Sequence, residues 1–166
     1  MNSDDRDLLI RFFGVACANI DSALDTLNAY EQDVMDGVSD TKEDRERRNN
    51  AIERATQNTK RALDTAKAIE KDIDKFLTNR TAFVMLEMQI IKIETAFDDA
   101  NAEAGEDKLS FIEKAIYQAG FAKRNCYELY ELLNKPTNKG GSRKRTLRNK
   151  KRARRALRKR THRSRK

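Results

Sequence analysis

The sequence predicts an all-α fold, an antiparallel four-helix bundle of long helices followed by an extended basic C-terminal tail. Three observations predict it. Apolar residues recur three and four positions apart from Leu9 to Leu133, the spacing of one helix face. One proline and six glycines in 166 residues leave little to interrupt such helices. Charge is divided: residues 135–166 hold 17 Lys or Arg and no acid, which leaves 18 basic and 27 acidic residues for positions 1–134. The last segment therefore carries a net +17 and the rest −9. A segment so charged repels itself and cannot bury a core, so the domain boundary is placed between an acidic helical bundle, 1–134, and a Lys/Arg-rich tail, 135–166. The bundle is long enough for a single core.

The helices are expected at about 4–36, 41–77, 81–104 and 107–134. Ser3, Asp4, Asp5 and Asp7 suit the start of the first, where oxygens accept from unpaired amides and negative charge meets the helix dipole. Leu9, Phe13, Ala16, Ile20, Ala23, Leu27, Tyr30 and Val34 then form a continuous seam, flanked by Leu8, Phe12 and Cys17. Gly37 is the expected C-terminal cap.

Asp40 with Glu43 reads as the capping pair of the second helix. Its seam is Ile52, Ala55, Thr59, Ala62, Ala66, Ile69, Ile73 and Phe76, and its alanines allow close helix approach. Lys42 to Asn50 has no apolar face and is expected to project beyond the core or fray.

Thr78, Asn79 and Thr81 predict a tight turn into the third helix, because an unbroken helix would leave its apolar faces short of partners. Phe83, Leu86, Ile90, Ile93, Phe97 and Ala100, widened by Val84, Met85, Met88 and Ile91, make this the most apolar helix. It is expected at the centre, with Gly105 ending it. Ser110 with Glu113, or Asp107 one turn earlier, opens the fourth helix. Leu109, Ile112, Ile116, Ala119, Cys126, Leu129 and Leu133 continue it to Pro136, and Gly140-Gly141 supplies a hinge. Short connections imply up-down-up-down topology. Net charges of −7 for residues 1–40 and +3 for residues 41–80 favour the adjacency of the first two helices.

Catalytic constellations are missing their parts. The single histidine, His162, lies in the tail, so the bundle has no Ser-His or Cys-His pair and no Glu-x-x-His di-metal motif. No glycine-rich phosphate loop or zinc-spaced cysteine set occurs. Glu87, Glu94, Asp98 and Asp99 read as a solvated charged face. The expectation is a non-enzyme with no cofactor, no metal and no small-molecule substrate. Cys17 and Cys126 read as small buried hydrophobes of a reducing compartment, and a bridge between them requires helices one and four to be neighbours at that level. The aspartates at the N-terminus have the wrong sign for a secretory or import signal, and the apolar run Ala82 to Ile93 is interrupted by Glu87 and Lys92.

The candidate binding residues are basic. Arg143, Lys144, Arg145, Arg148, Lys150, Lys151, Arg152, Arg154, Arg155, Arg158, Lys159, Arg160, Arg163, Arg165 and Lys166 place positive charge at nearly every turn of an extended or helical chain. Arginine forks fit phosphate, and each neutralised phosphate releases counterions, so nucleic acid or another polyanion is the expected partner. No aromatic residue is interleaved for base stacking, so sequence readout is not expected. Nuclear import, an anionic membrane surface and an acidic protein surface are the competing uses. Arg45, Arg47 and Arg48 are a secondary candidate contact near the start of helix two, against the plain reading of a solvated cluster.

The segment from Lys139-Gly140-Gly141-Ser142-Arg143-Lys144-Arg145 onward resembles the Gly-Gly-then-basic C-terminal ends of virion and minor capsid proteins of large nucleocytoplasmic DNA viruses. The likeness covers about a fifth of the chain and rests on composition. It implies a small helical structural protein of a virus particle, with protein partners in a capsid or similar assembly and a tail directed to genome or membrane. The alternative is a free or ribonucleoprotein-associated nucleic-acid-binding helical protein, in the nucleus or cytoplasm of a eukaryotic cell, with a nuclear-import tail.

Overall fold

The structure is a computed structural model that describes residues 3–69 and 80–135. It is all-helical over these residues, with α1 Ser3–Met35, α2 Lys42–Ala68, α3 Arg80–Ala102 and α4 Gly105–Asn134. All four belong to the unit Met1–Asn134; the second unit is Lys135–Lys166. Helix two's expected continuation to residue 77, with Ile73 and Phe76, and the turn at residues 77–79 lie outside the described residues. So do Pro136, the Gly140-Gly141 hinge and every basic residue proposed for the tail from Arg143 to Lys166.

α1 packs on α2 and α4, and α3 packs on α2 and α4, a ring compatible with a bundle. The seam of α1 is buried from Leu9 to Tyr30, with Val34 partly buried at its end. Ile52, Ala55, Thr59, Ala62 and Ala66 are buried from α2, and Leu86, Ile90, Ile93, Phe97 and Ala100 from α3. From α4 come Ile112, Ala119, Cys126, Leu129 and Leu133, joined by Ala115 and Ala122. Those two alanines fill positions where a larger side chain would push a neighbouring helix away.

The end of α1 follows its sequence. Gly37 has φ +66°, a conformation that disfavours any residue with a Cβ. Its amide donates to Val34 O at 3.3 Å and that of Val38 to Asp33 O at 2.9 Å, so carbonyls left open by the helix end are satisfied.

Other ends differ from expectation. The cap of α2 is Thr41, one residue after Asp40: its hydroxyl accepts from the Asp44 amide at 3.1 Å. Asp40 is instead drawn to arginines, and the threonine oxygen takes the amide. Gly105 opens α4 and does not end α3, which stops at Ala102. A first-turn amide has no intrahelical acceptor to lose, and Glu106 and Asp107 behind it suit the dipole. The start expected at Asp107 or Ser110 therefore moves upstream.

α3 is not central. Val84 (52% exposed), Met85 (36%), Met88 (38%) and Ile91 (54%) face outward. In a ring of four, each helix has only two strong neighbours, so one whose apolar stripe is this wide keeps part of it uncovered.

Cys17 and Cys126 are joined in a disulfide, with Cα atoms 5.7 Å apart, which corrects the reading of two free thiols. The α1–α4 contact brings them into register, a condition that spacing within either helix could not supply. The reducing compartment inferred from free thiols loses that basis.

Candidate functional site

The described part of the predicted basic surface is the arginine cluster on the first two turns of α2. It forms because Thr41 fixes the helix start. The Thr41 hydroxyl also donates to Asp44 Oδ2 at 2.5 Å, and that bond, helped by the charges of Arg47 and Arg48, holds the Asp44 carboxyl below its usual range.

The three arginines have separate surroundings. Arg45 Nε lies 3.5 Å from Asp40 Oδ2, and Arg47 Nη2 lies 3.8 Å from Asp44 Oδ1, with both arginine side chains largely in solvent. Solvent and salt screen exposed pairs of this kind, so they add little to stability. Arg48 is different: its side chain is only 6% exposed. Its Nη2 donates to Asp40 Oδ1, and its guanidinium lies 3.8 Å from the centroid of the Tyr30 ring. Lys108 of α4 approaches the same ring, with Nζ at 5.3 Å. The segment expected to fray is thus tied to α1 by an arginine acting as a core residue.

A cleft of about 280 Å³ opens here between the end of α1 and the starts of α2 and α4. Asp33, Asp40 and Asp44 line it with Arg48 and Lys108, so its charge is mixed and not phosphate-seeking. The Tyr30 hydroxyl and Arg48 Nε are buried here without a hydrogen-bond partner. Arg45 and Arg47 are the members of the cluster that remain accessible.

A second polar cluster escaped the sequence reading. On the α1–α4 interface Asp21 receives two donors from one face of α4. Tyr127 donates to Asp21 Oδ2 at 2.6 Å, and Lys123 Nζ lies 2.9 Å from Asp21 Oδ1. The hydrogen bond to Asp21, reinforced by its charge, raises the Lys123 pKa. The Tyr127 pKa is raised first by the same acceptor and then by desolvation. Both groups keep their protons at neutral pH, so the cluster cross-links helices and offers no free base. Its i, i+4 spacing on α4 was visible, but the partner 102 residues away from Lys123 was not.

Two carboxylates of α3, Glu87 and Glu94, are also engaged. Glu94 accepts from Lys60 Nζ at 2.8 and 2.9 Å, and Glu87 accepts from Lys67. These pairs link α2 to α3, where the sequence suggested only a solvated face. Asn125 Nδ2 donates to Gln89 Oε1 at 2.9 Å between α4 and α3, and Arg6 Nε donates to Leu133 O at 2.7 Å at the end of α4.

Among the described residues no three His, Cys, Asp or Glu side chains are grouped to hold a metal ion. No described helix is long and apolar enough to cross a membrane. No protein-family model matches the chain, and neither a curated protein nor a solved structure is similar to it.

Proposed function

We propose that this chain is a non-enzymatic structural or assembly protein, a minor capsid or other virion component. Its helical body binds protein partners, and its basic tail binds nucleic acid or another anionic surface. The observation that carries the reading is the segregation of charge, +17 in residues 135–166 against −9 in residues 1–134. An acidic body is repelled by the polyanion that the tail attracts, so contact concentrates on the tail.

The fold proposed for the body is an antiparallel four-helix bundle. Support comes from the order of its contacts. Along α1, Phe12 and then Tyr30 meet Arg61 and then Arg48 of α2. Arg6, Cys17 and Asp21 meet Leu133, Cys126 and Lys123 of α4. Lys60 and Lys67 of α2 meet Glu94 and Glu87 of α3. In each pair one helix is traversed backwards. The apolar residues left outside α3 support the role of the body in binding protein, since free monomers seldom keep such a group uncovered.

The test is fluorescence anisotropy with labelled double-stranded DNA and single-stranded RNA of random sequence. The full chain should bind both, losing about 10³-fold or more between 50 and 200 mM salt, with little sequence preference. A chain ending at Asn134 should not bind. Retention of full polyanion affinity by that truncated chain refutes the proposal. A chain lacking residues 137–166 that stays well folded and loses only RNA binding and nuclear accumulation would instead favour the free nucleic-acid-binding reading.

A further inference from the structure

The cleft at the end of α1 contains two polar groups that the fold leaves without partners. The Tyr30 hydroxyl and Arg48 Nε belong to residues that line it and are only 2% and 5% exposed, and neither atom makes a hydrogen bond. A buried donor without an acceptor is costly, so two beside one cleft call for an occupant that supplies the acceptor. The guanidinium lies 3.8 Å from the centroid of the Tyr30 ring, so the two donors are neighbours and the two oxygens of a carboxylate can serve both. At about 280 Å³ the cleft falls just below the roughly 300–1,000 Å³ of sites for drug-sized molecules, which limits the occupant to a few heavy atoms.

The charges around the cleft come from different elements according to sign. Lys108 stands at the start of α4 and makes no ion pair among the described residues. Ala104 also lines the cleft, and α4 begins at the next residue, where open amides and the helix dipole add positive potential. On the other side Asp33 lies in the last turn of α1, at the negative end of its dipole, and its carboxylate has no partner among the described residues. Asp44 joins it, kept ionised by the hydrogen bond from Thr41. Asp40 is already drawn to Arg48 and Arg45.

This division selects the ligand. A simple anion would be repelled by Asp33 and Asp44. A simple cation would be repelled by Lys108 and Arg48 and would leave Arg48 Nε without an acceptor. A small molecule that carries both signs answers every group.

We propose that this cleft binds a small zwitterion of the amino-acid class, its carboxylate accepting from the Tyr30 hydroxyl, Arg48 Nε and Lys108 and its ammonium facing Asp33 and Asp44. The inference goes beyond the proposed role of the tail and does not depend on it.

The experiment is a proton–nitrogen NMR titration of the full chain, nuclease-treated and at roughly 0.15 M salt, near physiological screening. The probes are glycine, β-alanine and γ-aminobutyrate, which set the two charges at increasing separations. At least one should give saturable shifts at the amides of Tyr30, Gly37 and Lys108, with a dissociation constant of about 1 mM or tighter. N-acetylglycine, glycinamide and acetamide lack one charge or both and should bind about tenfold more weakly or worse. Tyr30→Phe keeps the ring and Lys108→Gln alters a half-buried side chain outside the core, so both variants keep the fold. Each should weaken binding of the preferred zwitterion by about tenfold. Lys114→Gln, a change of cation elsewhere on α4, where Lys114 lies over Phe111, should leave it unaltered.

Shifts that do not saturate with any of the three zwitterions, or that appear only in residues 135–166, overturn the proposal: the two buried groups are then merely hydrated. Acetamide or N-acetylglycine binding as tightly as the best zwitterion overturns it as well. So does an affinity that neither Tyr30→Phe nor Lys108→Gln changes.

Discussion

Replacing Arg48 by methionine isolates what a buried cation contributes where α1 meets the start of α2. Methionine keeps most of the stem that packs at this site and removes only the charged fork. Two interactions are lost. The guanidinium over the Tyr30 ring, 3.8 Å from its centroid and largely desolvated, is worth about 1–2 kcal/mol. The ion pair with Asp40 is partly screened, because the aspartate side chain is 26% exposed, and adds about 1 kcal/mol. Arg48→Met should therefore lower unfolding stability by about 2–3 kcal/mol, read from urea denaturation at constant slope. In a cycle with Tyr30→Leu the coupling should be about 1 kcal/mol or more. Tyr30→Phe should behave oppositely. It keeps the ring and removes a buried hydroxyl without a partner, so stability should hold or rise by about 1 kcal/mol. An Arg48→Met variant within about 0.5 kcal/mol of wild type, or a Tyr30→Phe variant that loses more than about 1 kcal/mol, refutes this reasoning.

Two further perturbations test the α1–α4 interface. Cys17→Ala with Cys126→Ala opens a closure spanning 109 residues and should cost about 2–4 kcal/mol, as should reduction of the native protein. Free thiols in the native chain by mass spectrometry, or a denaturation midpoint indifferent to reductant, would contradict the pairing. The Lys123 and Tyr127 pKa values are raised in the folded state, so their contribution is fully present below their unfolded values near about pH 10 and lost as pH rises through the folded ones. Asp21→Asn should flatten the fall in stability between about pH 9 and 11, and an unchanged slope in that variant would show that other groups set it.

The helices were legible because their apolar residues keep one spacing. Leu9 to Tyr30 needs no tertiary knowledge to be read as a buried seam, and Gly37 marks its own turn. What the sequence concealed was chiefly pairwise. Nothing within α1 says that Cys17 faces Cys126, or that Asp21 gathers Lys123 and Tyr127. The acids Glu87 and Glu94 looked solvated because Lys67 and Lys60 stand on another helix. Arg48 was hidden in a different manner: a charged residue in a polar run reads as surface until an aromatic ring is found beneath it. The end of α3 was misjudged because glycine at a helix boundary permits either a stop or a start, and Glu106 and Asp107 tipped it to a start. Arg45 and Arg47 of the same cluster stand exposed on the first two turns of α2.

The bond between Cys17 and Cys126 also decides how tension travels through the chain. Strain applied between the two termini follows the shortest covalent route, along residues 1–17, across the sulfur bridge and out through residues 126–166. Everything from Ala18 to Asn125, including the whole of α2 and α3, is bypassed. A pull on the far end can unwind the eight residues Tyr127 to Asn134, and then it loads α1 directly. The middle of the molecule is mechanically sheltered, and its surfaces keep their shape while the ends are under load.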